Sequence, residues 1–366
     1  MDTILTKNLH KSSEHIVENC AVVDLFCGIG GLSHGFVQQE FNVIAGIDID
    51  ESCKFVYEAN NNASFLKKDV AELKGEELQN LFPKGKVKVL VGCAPCQPFS
   101  SYSFKVKKPD ESKWKLLYSY ARLIEETLPE IISMENVPSL ISFKKDNVFE
   151  SFVNVLTKNG YHVWHKIVYA PDYGIPQVRK RLVLLASRLG PIRLIPPTHK
   201  PENYLTVRDV IKDLPALRDG ETDKNDLVHS TRELSILNKK RIRATPEGGG
   251  WKDWDQSLLL DCHKKKTGQT YSSVYGRMKW DEPAPTMTTQ CIGLGNGRFG
   301  HPEQNRAISA REAAIFQSFP VDYKFIENED AISLTNLAKH IGNAVPVKLG
   351  EAIAISIKKH LQEFNE

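Results

Sequence analysis

The sequence has no apolar run long enough to span a bilayer, and its first twenty residues are polar, without the apolar stretch of a secretory signal. Both absences argue against a membrane-spanning or exported chain, and Met1 to Cys20 read as a loosely ordered lead-in. Excess charge is missing as well. Forty-eight Lys and Arg stand against 45 Asp and Glu, so a net charge of +3 does not by itself announce a nucleic-acid binder. Cysteines number seven and are scattered, and the one Cys-x-x-Cys, Cys93 to Cys96, has no second pair and no histidine pair to complete a zinc site. His162, His165, His263 and His340 also lack ligand spacing, so no metal is expected. Reduced thiols in a cytosolic setting fit this pattern better than a disulfide framework, with a redox Cys-x-x-Cys as the lesser alternative. No internal repeat or long low-complexity tract interrupts the chain.

What remains is an ordinary globular composition over 366 residues, with room for a sizeable core and two domains. Its sharpest feature is Gly92-Cys93-Ala94-Pro95-Cys96-Gln97-Pro98. It follows Val87 to Val91, an apolar run that reads as a buried parallel strand, and loops after such strands are where open α/β sheets place ligands. Cys96 is placed there like a nucleophile, whereas Cys93 reads as a buried strand-end residue. Met134-Glu135-Asn136-Val137 ends a second apolar strand, and Gln177-Val178-Arg179-Lys180-Arg181 precedes a third. A thiol, a carboxylate and a guanidinium at strand ends suit attack on a polar, electron-poor ring. Read singly, Glu135 also fits a helix cap, and the Arg-Lys-Arg run a solvated face.

Upstream, Cys20 to Phe26 predicts a strand that runs into Cys27-Gly28-Ile29-Gly30-Gly31 and a helix from about Leu32 to Gln39. Glycines there let the chain turn sharply, and the helix start offers amide donors to an anionic group. A second strand ends at Asp48-Ile49-Asp50, and Asp48 follows Gly28 by twenty residues, the distance at which a carboxylate grips ribose hydroxyls. A third segment leads to Asp69-Val70, where Asp69 can accept from an adenine amino group. The Phe-x-Gly-x-Gly-Gly spacing is not the dinucleotide Gly-x-Gly-x-x-Gly, which counts against a nicotinamide oxidoreductase. S-adenosylmethionine, with a carboxylate, a ribose and an adenine, suits these positions.

Five motifs, from Phe26-Cys27-Gly28-Ile29-Gly30-Gly31 through Pro95-Cys96-Gln97, Glu135-Asn136-Val137 and Gln177 to Arg181, to Gly342-Asn343-Ala344-Val345-Pro346, occur in the order found in the DNA cytosine-5 methyltransferases, and the chain resembles that family from about Val22 to Ala354. Arg306 to Glu312 and Gln317 to Pro320 resemble its late structural motif. The resemblance implies an α/β fold with a Rossmann-like, doubly wound sheet, that of class I S-adenosylmethionine-dependent methyltransferases, carrying a smaller inserted target-recognition domain. The catalytic domain is expected over 1–190 plus 325–366, with the recognition domain at 191–324 and the C-terminal tail folded back beside the glycine turn.

The resemblance also implies residue roles. Cys96 adds to carbon 6 of cytosine, Glu135 bonds ring nitrogen 3 and the exocyclic amine, and Arg181, with Arg179 beside it, holds the ring carbonyl. Phe26, Gly28, Gly30, Gly31, Asp48, Ile49, Asp69, Val70, Pro95, Asn343 and Val345 are expected around S-adenosylmethionine. A polar loop from Ser100 through Lys105 and Lys107 is expected to close on duplex DNA with the target base flipped out. Arg241, Arg243, Lys264, Lys265 and Arg277 are the candidate DNA contacts of the recognition domain. The expected protein is a compact, bacterial, cytoplasmic modification enzyme acting on double-stranded DNA, with a cognate restriction endonuclease as associate. An RNA (tRNA) cytosine methyltransferase and a non-catalytic DNA-binding regulator are the alternatives.

Overall fold

The computed structural model describes residues 16–95, 115–142, 147–265, 268, 271–328 and 333–365. Its described residues divide into two compact units. The first comprises those up to Tyr169, Lys180–Pro197 and those from Val345; the second comprises Ala170–Arg179 and Thr198–Ala344.

The first unit is built on seven strands: β1 (Cys20–Leu25), β2 (Val43–Asp48), β3 (Ser64–Lys67), β4 (Val87–Gly92), β5 (Ile131–Asn136), β6 (His162–Tyr169) and β7 (Lys180–Ser187). Their order is β3-β2-β1-β4-β5-β7-β6. The first five in that order run parallel, and β7 lies antiparallel to both β5 and β6. Every residue of β1 and of β5 is buried, the polar Asp24, Ser133, Glu135 and Asn136 included, as strands covered on both faces require.

Helices α1 (Gly31–Val37), α2 (Lys54–Asn61), α3 (Gly75–Leu81), α4 (Lys115–Thr127) and α5 (Val148–Lys158) connect the strands, and α10 (Val347–Asn365) closes the unit. The chain moves outward from β1 to β3, then returns to β4 beside β1. Right-handed crossovers in opposite directions put the connecting helices on opposite faces of the sheet. Leu78 of α3, Leu123 of α4 and Phe152 of α5 join Val23, Leu90 and Ile132 in one core cluster. In α4 the buried positions Leu117, Tyr120, Ala121 and Ile124 fall at spacings of three and four, the stripe of an amphipathic helix.

Helix α10 packs on α1, as the expected return of the tail requires. A Cβ on Gly35 would lie 2.3 Å from the Glu351 backbone nitrogen, and one on Gly350 would lie 2.7 Å from the Leu32 carbonyl oxygen. Two glycines therefore let these helices touch backbone to backbone. The proline-spaced segment after β7 stays with this unit up to Pro197. Ile192 and Leu194 are buried, and the Ile195 amide donates to Ser356 Oγ at 2.8 Å.

The second unit has no named strand among its described residues and is built from loops with short helices, α6 (Val207–Ile211), α7 (Ile236–Ala244), α8 (Ala310–Phe316) and α9 (Leu334–Asn343). A buried fork-to-fork pair organises it. Arg306 Nη1 and Nη2 reach Glu312 Oε2 and Oε1 at 2.8 and 2.7 Å, and Glu312 Oε2 also accepts from the Ser309 amide that starts α8. The described residues between 325 and 344, a stretch expected with the catalytic domain, fall in this second unit.

Candidate active site

The strand order reverses between β1 and β4, and in open α/β sheets the crevice outside the strand ends at such a reversal takes the ligand. The ends of β1, β2, β4 and β5 point to that edge. Because β7 is antiparallel, its first residues come to the same edge, which brings Arg181 beside the end of β5.

The turn after β1 is contorted as its glycines require. Phe26, Gly28 and Gly30 have φ of 61°, 51° and 84°, and Gly30 caps α1 in the left-handed region. The Gly28 amide donates to Asp48 Oδ2 at 2.8 Å and the Asp50 amide to Asp48 Oδ1 at 2.9 Å. The Asp48 carboxylate is thus oriented by the turn, with lone pairs to spare for hydroxyl donors. Ile49 beside it is 65% exposed, an apolar side chain left facing out. Asp69 is half-buried, and its Oδ1 accepts from the Ala71 amide at 2.9 Å. A Cβ on Gly28 would meet nothing within 4 Å, so open space lies over the turn. An oriented carboxylate, an exposed isoleucine, a second carboxylate and an open glycine cradle fit the ribose, adenine and amino-acid parts of S-adenosylmethionine. The Val70 side chain lies in the core, which leaves only its main chain for contact with a ligand. Gly31 is buried, Pro95 and Asn343 are exposed, and Val345 is buried.

Beneath the turn, Asp24 sits wholly inside β1. Ser33 Oγ donates to Asp24 Oδ2 at 2.7 Å and lies 2.9 Å from the Tyr57 hydroxyl. Burial pushes the Asp24 carboxyl up to about 7, with the nearby Asp48 charge adding to the rise and Ser33 opposing it.

Glu135 is the centre of the edge, its side chain 3% exposed. Arg181 Nε lies 2.9 Å from Glu135 Oε1, while Arg181 Nη1 donates to the Lys180 carbonyl at 2.8 Å. Cys93 Sγ donates to Glu135 Oε2 at 3.0 Å. Cys93 is half-buried and engaged with this carboxylate, which corrects its reading as a buried strand-end residue. The sequence signal was present in the Cys-x-x-Cys, but register across β4 and β5 was needed to aim the thiol. Asn136 Nδ2 donates to the Ala94 carbonyl at 3.1 Å, fastening the end of β5 to the loop after β4. Glu135 therefore does not cap a helix; it is a strand residue directed at this edge.

Cys96, Ser100, Lys105 and Lys107 lie outside the described residues. Arg179, expected beside the ring, is buried in the second unit, where Nη1 donates to the Met287 carbonyl at 2.9 Å and to Gln177 Oε1 at 3.4 Å. Arg241 and Arg277 are corrected from candidate DNA contacts to interior residues. Arg241 donates to the Leu258 carbonyl at 2.9 Å and stacks over Trp254 and Tyr275. Arg277 donates to the carbonyls of Thr245, Ile242, His301 and Gln304 and to Asn305 Oδ1, and burial pulls its guanidinium down to about 10, still charged at neutral pH. Arg243, Lys264 and Lys265 are exposed. Lys240, in the same basic run as Arg241 and Arg243, is exposed, and neither it nor Arg243 meets a partner among the described residues.

The family profile of C-5 cytosine-specific DNA methylases matches residues 20–359. The Type II methylase M.HgiDII of Herpetosiphon aurantiacus is 52% identical over 346 residues, covering 94% of this chain and 97% of that protein. The Type II methyltransferase M.PspPI of a Psychrobacter strain is 32% identical, covering 93% and 79%. Among solved structures, a prophage-encoded DNA modification methyltransferase from E. coli aligns with a TM-score of 0.72 at 22% identity, covering 95% of this chain and all of that one, so the fold is that of the class I methyltransferases. With the family profile spanning nearly the whole chain and a relative of more than half identity, the chain belongs to the C-5 cytosine-specific DNA methylases and is a Type II DNA (cytosine-5) methyltransferase that uses S-adenosylmethionine.

Proposed function

We propose that this enzyme methylates carbon 5 of a flipped-out cytosine in a specific duplex sequence through a covalent Cys96 adduct, as the modification half of a bacterial, cytoplasmic restriction-modification system. The observation that carries this reading is the state of Glu135. It is a buried carboxylate whose Oε1 faces a guanidinium but accepts no aligned hydrogen bond among the described residues. A buried acceptor left open in this way suits a donor that arrives from outside, such as the amine and nitrogen-3 edge of cytosine.

The roles follow from chemistry. The Cys96 sulfur bonds to carbon 6, and the displaced ring electrons gather toward carbon 5 and nitrogen 3. Glu135 shares a proton with nitrogen 3 as charge builds, and Arg181 steadies the ring carbonyl. The Phe26–Gly31 turn, Asp48, Ile49 and Asp69 would hold S-adenosylmethionine, which would supply carbon 5 with an electrophilic methyl group, the pair of the broken carbon–sulfur bond staying on the sulfonium sulfur to leave a neutral thioether. A water then takes the carbon-5 proton, and the freed carbon–hydrogen pair restores the ring double bond and expels the Cys96 thiolate. Carbon 6 is hidden inside a stacked duplex, so the base must leave the stack for Cys96 to reach it.

We assign catalysis to the first unit and target recognition to the second. Helix α7 supports the second assignment because it sorts its basic residues. Lys239 pairs with Glu233 and Asp219 at 2.9 and 3.2 Å and Arg241 faces inward, whereas Lys240 and Arg243, one turn apart, face out. Unpaired cations on one helix face suit phosphates.

The test is transfer of a labelled methyl group from S-adenosylmethionine to unmethylated mixed-sequence DNA, with transfer RNA in parallel and Cys96→Ala as control. Label at cytosine carbon 5 in DNA that is lost with Cys96→Ala is the expected result. Label in RNA alone would move the substrate to the alternative, and label retained in Cys96→Ala would overturn the adduct. Protection of the methylated sequence from a co-encoded endonuclease tests the restriction partnership.

A further inference from the structure

We propose that Cys93 is a positioning residue for Glu135, its thiol holding Oε2 so that the carboxyl plane is fixed for the ring. This rests on the reading of Glu135 as the group that bonds cytosine. Three links place the thiol. The Cys93 amide donates to the Leu25 carbonyl at 3.3 Å, tying it to the end of β1. The following Ala94 carbonyl accepts from Asn136, tying the same loop to the end of β5. The Cys93 Sγ then spans 3.0 Å to Glu135 Oε2, and Arg181 stands at the other oxygen.

A carboxyl group pivots about its last torsion, and a cation on one oxygen alone leaves that pivot open. A donor on the second oxygen closes it. A thiol is a weak donor, so it adds direction beside Arg181 without holding the carboxylate as tightly as a second cation would. The same loop continues through Pro95 to Cys96.

The experiment uses the full-length enzyme with S-adenosylmethionine and duplex DNA carrying its target sequence, under single-turnover conditions so that product release does not mask the chemical step. Cys93→Ala and Cys93→Val remove the donor, and valine keeps the volume. Cys93→Ser keeps a donor. The expected result is a roughly tenfold loss of the methyl-transfer rate in both Ala and Val variants, with S-adenosylmethionine affinity unchanged and the rate recovered in Cys93→Ser. A Val variant as fast as the wild type would reduce Cys93 to packing and overturn the inference. So would a Ser variant as slow as Ala and Val. Glu135→Ala run alongside separates the two readings. Full activity there overturns the role of Glu135 and this inference with it, while lost activity there with unaffected Cys93 variants overturns this inference alone.

Discussion

Arg181 Nε stands 2.9 Å from Glu135 Oε1 although 46 residues separate the two in sequence. Antiparallel pairing of β7 with β5 is what brings them together, because Glu135 lies opposite Val183 and Arg181 is two residues before it. Removing the cation leaves a buried carboxylate without its partner. Arg181→Ala and Glu135→Gln are each expected to lower single-turnover methyl transfer by about 10²–10³-fold while S-adenosylmethionine binding persists. Quench-flow rates set against calorimetric cofactor affinities check this, and a loss of cofactor affinity equal to the loss of rate would contradict it.

Asp48 is oriented by two backbone amides and offers its remaining lone pairs outward. Asp48→Ala is expected to weaken S-adenosylmethionine binding by roughly 10- to 100-fold, the worth of hydrogen bonds to a charged acceptor. Calorimetric titration measures the change. DNA binding in the absence of cofactor should be unaltered.

The two outward cations of α7 and the inward arginines predict opposite phenotypes. A Lys240→Ala/Arg243→Ala double variant is expected to fold normally and to reduce the slope of log binding constant against log salt by roughly two, at about 0.9 for each phosphate no longer neutralised. Arg277→Ala instead strands several buried acceptors and is expected to cost about 3 kcal/mol or more of stability. Fluorescence anisotropy across a salt series and chemical denaturation separate the two classes.

Asp24 carries a stability signature in pH. Its carboxyl ionises near 4 in an unfolded chain, whereas burial holds it protonated in the fold up to about 7. Between those values the folded state binds more protons than the unfolded one, so stability falls as pH rises through that window and levels off above it. Asp24→Asn keeps an acceptor for Ser33 and removes the ionisation. The variant is expected to show a flatter profile from about pH 4 to 7 and to gain on the order of a few kcal/mol at pH 8. Denaturant midpoints measured across that range decide it; a variant that tracks the wild type at every pH would contradict the assignment.

The sequence alone was enough for the chemistry-bearing segments of the first unit. Apolar stretches announced β1, β4 and the start of β5, since strands covered on both faces carry little regular polar alternation, and each led to Gly28, Cys93 or Glu135. The glycines of the turn were legible because positive φ at Gly28 and Gly30 has few other solutions. Motif order carried the family, which requires no knowledge of contacts.

Side-chain direction was not legible in the same way. Arg241 and Arg243 sit two residues apart on one helix, and Arg277 reads in sequence as one more exposed cation, yet two of the three are buried. A helix turns about 100° per residue, so neighbours two apart face different surroundings, and only the packed fold decides which of them meets carbonyls and which meets water. The role of Cys93 is hidden in the sequence for a related reason. Its neighbours in the chain describe a strand end, but its partner Glu135 is 42 residues away and reaches it through the pairing of β4 with β5. The sequence by itself determined which residue types stand at the strand ends; the pairing of those strands decided which of them touch, because hydrogen-bonded register acts across the sheet rather than along the chain.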